Sequence, residues 1–397
     1  MMTGPPGPVV RPEGPFPRPS SREGAVSVPA PEWDRGARRN ARKKGDAIVD
    51  KIHFPYRSGS HCALLHVVAE SGSWEKHGLD VDYNWKISSK DAHRDIPTSD
   101  IEFVGGNHVS TYGHRARGDS WVYLGQTLNF TNFKLVVKPD SGINSVADLK
   151  HKKVGSKGSH PGLNDWIYLK QRGLDVDKDQ VEMLKQVPDG QLDEHEGQRN
   201  TSLDDWVANG HVDAAFITPP RSLLAKKRGL KVIDIDPLPM IWFTTVSSSL
   251  KFVEKHPDIV ERFLKALMEG IAFFKMQPEK TIKILKERHT NEGVMDEETA
   301  KLMYVELARI LEPKLYPSLQ AVSNVYEEAV RQDKDALKVS PMALWDTHHI
   351  RSIDDQGFVE QLYKSHPELA VSPSAGRMGY AAWDRALGGA PSLEPGK

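Results

Sequence analysis

From Lys51 to Ser247 short β-type runs alternate with runs of helical spacing, and that alternation restricts the chain to parallel sheets layered with helices. The spacing predicts strands over 51–56, 79–83, 101–104, 121–124, 135–137, 153–156, 181–187, 213–217, 231–233 and 241–247. Helices are predicted over 61–71, 145–149, 163–171 and 203–209, between those strands. Beyond Leu250 the pattern is helical only, over 252–274, 278–288, 297–311 and 319–332. A helical tail with no strands of its own is expected to pack back on the first lobe.

Composition removes several function classes. Lys and Arg number 53 against 54 Asp and Glu in 397 residues, so no basic excess is present and nucleic acid is not an expected partner. The apolar runs fall short of the ~18 residues that span a bilayer, so no membrane insertion is expected. Cys62 is the only cysteine, which excludes an internal disulfide and any multi-cysteine metal site. Residues 1–45 are rich in Pro, Gly, Ser and Arg and are expected to be disordered, with a loose tail again over 372–397. The first of these stretches lacks the apolar run of a secretory signal, so the expected location is cytoplasmic.

Several phrases then point one way. Ala63-Leu64-Leu65 continuing through Gly72-Ser73-Trp74-Glu75-Lys76-His77-Gly78-Leu79-Asp80-Val81 resembles the first helix and second strand of nitrate, sulfonate and taurine binding proteins. Thiamine-pyrimidine precursor synthases share that fold. Val146-Ala147-Asp148-Leu149-Lys150-His151-Lys152-Lys153-Val154-Gly155, Gly210-His211-Val212-Asp213-Ala214-Ala215 and His256-Pro257-Asp258-Ile259-Val260 resemble further phrases of the same group. The resemblance runs in order over about residues 50–290. It implies an α/β, two-lobed, type II periplasmic-binding-protein-like fold with a helical C-terminal extension on lobe one. Lobe one is expected over 46–133 and 243–371, and lobe two over 134–242. Within the group, Gly105-Gly106 and Tyr123-Leu124-Gly125-Gln126-Thr127 are similar to segments of the 2'-hydroxybiphenyl-2-sulfinate desulfinase branch. That branch's nucleophilic cysteine falls near Arg57 and its active-site arginine on Phe103, so the likeness does not extend to those two groups. His93 falls about where its catalytic histidine lies.

In such sheets ligands sit beyond the carboxyl ends of the strands. There Arg57, Ser58, Gly59 and Ser60 are expected to hold an anion, through a bidentate guanidinium and the N–H groups opening a helix. An ordinary strand-to-helix turn with a solvated arginine explains the same residues. Gly106 and Asn107 are expected to bring backbone close to the ligand, with His108, His61 and His93 as candidate acid–base groups. A tight turn beside a surface histidine is the plainer alternative. Ser156, Ser159 and His160 form the anion cradle expected from lobe two, although Ser159 could simply cap a helix. Thr127, Asn129 and Trp242 mark the interlobe crossings, and Thr218 follows a lobe-two strand. Trp242 is expected either to stack on an aromatic ligand or to pack the hinge. His348 and His349 adjoin in the helical tail; neighbours on a helix point apart, so no metal site is expected. No cofactor is expected either. The expected function is a cytosolic enzyme cleaving a C–C or C–S bond of a small carboxylate, sulfonate or sulfinate, in the manner of a decarboxylase or desulfinase. The alternative is a substrate-binding protein that delivers a small organic anion to an ABC-type permease.

Overall fold

The computed structural model describes residues 42–44, 47–155, 165–184, 202–288 and 295–375. Its strands are β1 (Arg42–Lys44), β2 (Ala47–His53), β3 (Leu79–Asp82), β4 (Val104–Gly105), β5 (Trp121–Gln126), β6 (Lys134–Val137), β7 (Lys153–Gly155), β8 (Glu182–Leu184), β9 (Ala214–Ile217), β10 (Lys231–Asp234) and β11 (Thr245–Ser249). In lobe one β2 pairs parallel with β3, and β11 pairs antiparallel with both β4 and β5. The two groups of strands join just past β2, where Gly105 N–H donates to Pro55 O at 2.9 Å and Arg57 N–H donates to Gly105 O at 3.1 Å. The order is therefore β3–β2–β4–β11–β5. Lobe two repeats it as β8–β7–β9–β6–β10, with the same sequence of parallel and antiparallel neighbours. Each lobe thus carries parallel strands whose carboxyl ends share one edge.

The lobes meet through two antiparallel crossings, 127–133 and 238–244, held by Met240 N–H to Asn129 O (2.9 Å) and Thr131 N–H to Leu238 O (3.0 Å). One apolar core lies under lobe one, another runs across both lobes, and a smaller one lies within lobe two. The C-terminal helices pack on lobe one as expected. The Leu319–Gln332 helix also reaches lobe two, where Glu328 takes a bond from Trp166 Nε1 and Glu327 pairs with Lys170.

Some elements differ from the sequence expectation. The helix predicted over 252–274 is two, Leu250–Lys255 and Pro257–Met276. Pro257 excludes helical backbone at the residue before it, and His256 sits at φ −135°, ψ 51°. The strand predicted over 101–104 shrinks to Val104–Gly105. Helices at Ser89–Thr98 and Ser110–Ala116 escaped the periodicity reading; the first is capped by Ser88, whose Oγ accepts from Asp91 N at 3.0 Å. β1 lies within the stretch expected to be tail and pairs with β2.

The Pro257–Met276 helix lies across the Cys62–Glu70 helix at Gly270, where a Cβ would come 2.7 Å from Val68 Cγ2 and 2.9 Å from Cγ1. Val68 is β-branched and fully buried, so it has no other rotamer to retreat into. Gly270→Ala is expected to lower the unfolding free energy by about 1–3 kcal/mol through overpacking, read from denaturant unfolding. Unchanged stability would mean that the helices separate freely.

Candidate functional site

The carboxyl ends of β2 and β4 and the start of β11 bring a set of polar side chains together. After β2 the chain runs through Phe54 and Pro55 to Arg57, turns at Gly59–His61 in a 3-10 helix, and continues into Cys62–Glu70. Ser58 caps that turn, accepting from Ser60 N at 3.5 Å, while Ser60 Oγ lies 3.1 Å from Ser58 Oγ. Both serines therefore bond to one another in this structure. Arg57 is held at its backbone by Gly105 and at its guanidinium by Nη1 donating to Ile87 O.

Gly106 is at φ +126°, and a Cβ there would lie 2.7 Å from Arg57 Cγ. Only glycine lets the arginine stem lie flat on this turn. Its N–H donates to Thr245 O at 3.1 Å and its carbonyl accepts from Ser247 Oγ at 2.8 Å, so β11 fixes the loop from beneath.

Asn107 follows in the left-handed region at φ 62°, where asparagine is among the few side chains tolerated. Its carbonyl accepts from Thr111 Oγ1 and from the Tyr123 hydroxyl. The residue is only 3% exposed, yet neither Oδ1 nor Nδ2 has a hydrogen-bond partner among the described residues. A buried amide left unpaired costs on the order of 1–3 kcal/mol.

The three candidate acid–base histidines lie around this loop. His61 is buried, with Nδ1 3.1 Å from Thr244 Oγ1 and its ring stacked on Phe243 at 5.3 Å. Burial, with a smaller contribution from the Arg57 charge, lowers its pKa to about 3. His61 is therefore a neutral imidazole at pH 7. His108 Nδ1 lies 2.9 Å from Thr245 Oγ1. Thr245 donates its one hydroxyl proton to Gln126 Oε1, while Gln126 Nε2 donates to Trp242 O at 2.8 Å. In that chain of bonds His108 Nδ1 is the donor, which assigns its tautomer. His93 stands on the Ser89–Thr98 helix, with Nε2 2.8 Å from Ser110 Oγ and its ring stacked on His114 at 3.6 Å. Burial first, then the neighbouring His114 and Arg57, lowers its pKa to about 3.

The remaining expected residues separate into other places. Thr127 is buried in the crossing, its N–H and Oγ1 both donating to Thr244 O. Asn129 is saturated: Nδ2 donates to Tyr316 O and Ser374 Oγ, and Oδ1 accepts from Ser318 N. It fastens the helical tail to the crossing. Trp242 packs between Phe133 and Phe243, with Nε1 donating to Phe130 O at 3.1 Å, which is the hinge-packing alternative. Thr218 stands at the end of β9, its carbonyl accepting from Ser222 N. Arg221 beyond it pairs with the buried Asp204 at 3.0 Å. Ser156, Ser159 and His160 lie outside the described residues. Cys62, the single cysteine, is fully buried at the first turn of its helix.

Sequence reasoning gave no site role to Gln126 or Thr245. The run Thr244-Thr245-Val246-Ser247-Ser248-Ser249 is fully buried although five of its six side chains carry hydroxyls. So dense a hydroxyl strand beside apolar helices was the available signal, since each hydroxyl needs a partner.

Residues 60–188 match the family described as NMT1/THI5 like. No curated protein matches the chain. Among solved structures it is similar to a putative periplasmic sulfonate-binding protein SsuA from Methylobacillus flagellatus, 15% identical, covering 78% of this chain and 96% of that one with a TM-score of 0.57. The alkanesulfonate-binding SsuA from Xanthomonas axonopodis bound to MOPS is 15% identical, with 74% and 96% covered and a TM-score of 0.52. A variant of DSZB in complex with biphenyl-2-sulfinic acid is 17% identical, with 77% and 99% covered and a TM-score of 0.52. The repeated strand order of the lobes, the paired crossings and these likenesses agree on the fold, and the chain adopts the two-lobed, type II periplasmic-binding-protein-like fold.

Proposed function

We propose that this chain is a binding protein for a small organic anion of the sulfonate or carboxylate kind, held between the lobes by the 57–61 and 105–108 loops. The observation that carries the reading is the buried, unpaired amide of Asn107, placed at a left-handed backbone position beside the Arg57 stem. Such a group is costly unless a ligand pairs with it, and strained polar residues of this kind concentrate at ligand clamps. Sulfonate oxygens accept hydrogen bonds, so Asn107 Nδ2 and the Arg57 guanidinium supply matching donors. Neutral His61, with Thr244 behind it, adds a polar wall that does not change charge near neutral pH. An importer role, with an ABC-type permease as partner, is supported by the SsuA likeness.

Bond cleavage is the second reading, favoured by the likeness to DSZB. It requires a nucleophile or a titrating base in the cluster. Cys62 is enclosed in the lobe-one interior, and His61 does not take up a proton near neutrality. His108 remains as a candidate base for that reading, and the binding reading ranks first because sulfonate-binding proteins are the better represented among the similar structures.

Calorimetric titration with a panel of alkyl and aryl sulfonates, sulfinates and carboxylates tests the proposal, followed by product analysis on the tightest ligand. Asn107→Gly, which suits the left-handed backbone, is expected to raise that ligand's dissociation constant by about 10- to 100-fold, the range for a bond to a charged group. Thermal stability should not fall, because the variant removes an unpaired amide. Normal affinity with lost stability would make Asn107 a structural residue, and a new product would move the assignment to the enzyme.

A further inference from the structure

Along the free edge of β5, the tail forms a second chemical cluster. Residues 344–346 run beside β5 as an added edge: Tyr123 N–H donates to Leu344 O at 2.6 Å and Asp346 N–H donates to Tyr123 O at 2.9 Å. Tyr123 is three residues before Gln126, so this edge stands about 10 Å along the strand from the hinge end. The His348–Asp355 helix starts immediately after it.

Neighbouring histidines were expected to diverge on that helix, and they do not. His348 is its first residue, and its Nδ1 is drawn back onto Asp346 Oδ1 at 2.5 Å, which turns the ring across the helix start. The His348 and His349 ring centroids are consequently 3.8 Å apart. Asp346, His348 and His349 each offer one ligand atom, all within 4.8 Å of one another.

A second observation singles out His349. Its residue exposure is 5%, and Nε2 has no hydrogen-bond partner among the described residues. Asp346 and His348 line an open cavity of about 500 Å³, together with Trp345, Leu250 and Arg351. His348 is the exposed member, with 65% of its side chain accessible, so it is free to swing.

We propose that Asp346, His348 and His349 form a binding site for one divalent first-row transition ion of the zinc, nickel or copper kind. Two imidazoles and a carboxylate are borderline donors that suit these ions rather than magnesium or calcium. Bonds of ~2.0–2.2 Å require donors ~3.4 Å apart, so the site closes by rotation of His348 over little more than an ångström. Three protein ligands leave a fourth position to water from the cavity. The ion would pin the helix start to the sheet edge, and the site is independent of the anion reading.

The test uses the tag-free full chain, because its sixteen histidines include other weak metal ligands. Zn²⁺ titration calorimetry is expected to give one site per chain that is at least tenfold weaker in both His348→Ala and Asp346→Asn. Both positions are partly open to solvent, so circular dichroism should show the fold unchanged. Cu²⁺ bound to the wild type is expected to show two-nitrogen hyperfine structure in electron paramagnetic resonance, reduced to one nitrogen in His348→Ala. No measurable Zn²⁺ binding, or the same stoichiometry and affinity in the double variant, overturns the proposal.

Discussion

Between pH 6.5 and pH 4.5 the folded chain is expected to lose about 2–3 kcal/mol of stability through His61 alone. The ring is fully enclosed, and burial followed by the Arg57 charge holds its folded pKa at about 3 against an ordinary 6.5. Below pH 6.5 the unfolded chain gains a proton at this residue while the folded chain does not. Unfolding is therefore favoured by about 1.4 kcal/mol for each pH unit until the folded pKa is reached. His93 contributes in the same direction, but its ring is only partly enclosed, so solvent screens its share. Carboxylates in ion pairs also steepen the acid limb, and a variant separates the two contributions. His61→Asn is expected to be less stable at pH 7, having lost the stacking on Phe243. Its stability should fall less steeply, so the gap to the parent chain narrows by about 2 kcal/mol at pH 4.5. Denaturant unfolding at closely spaced pH values measures this. Parallel curves for the two proteins would show that His61 takes up its proton in the folded state as readily as in the unfolded.

The architecture was readable because a few residues carry strong local information. Gly72 and Gly78 both adopt positive φ, and Gly72 follows directly on the end of the helix that the spacing predicts over 61–71. Alternation of strands and helices indicated the α/β class, but the expected parallel sheets are mixed, because β11 and β6 run antiparallel to both of their neighbours. The elements that escaped are those whose stability is tertiary. The Ser89–Thr98 helix carries Pro97 in its last turn and only Ala92 and Ile96 buried, so its pattern is faint without the sheet it rests on. β4 is a strand of Val104–Gly105, too short for any alternation.

The site was legible in its glycine and asparagine but not in its depth. Gly105-Gly106-Asn107 reads as a turn, and a left-handed asparagine fits such a turn. What the sequence does not carry is that the Asn107 amide is enclosed and unpaired, because that depends on β11 arriving from 140 residues away to bond Gly106 through Ser247. The histidines show the same limit. Residue type suggested acid–base chemistry for His61, and spacing could not reveal that Phe243 and Thr244 enclose its ring and that burial holds it neutral. Asn129 reads as a ligand contact from its position near a crossing, but bonds to Tyr316, Ser318 and Ser374 consume its amide. Long-range partners of this kind leave no trace in spacing.

Arg57→Ala is expected to weaken binding of the preferred anion by ~2–4 kcal/mol, or about 30- to 1000-fold, the range for truncating one partner of a desolvated charge pair. The guanidinium is already positioned by Ile87 O and by its backbone bond to Gly105, so little ordering is left to be done when the ligand arrives. Arg57→Lys keeps the charge but loses the planar fork, and is expected to recover only part of the affinity. Gly106→Ala supplies an independent arm, since its methyl group would fall 2.7 Å from Arg57 Cγ and drive the arginine off the turn with its charge intact. Both alanine variants should weaken a sulfonate far more than an uncharged sulfone of the same shape, which separates loss of the charge contact from general loosening of the loop. Titration calorimetry at low and moderate salt reads all of these. A sulfonate that binds Arg57→Ala as tightly as the parent chain would remove Arg57 from the anion site and leave the grip to Asn107 and the backbone.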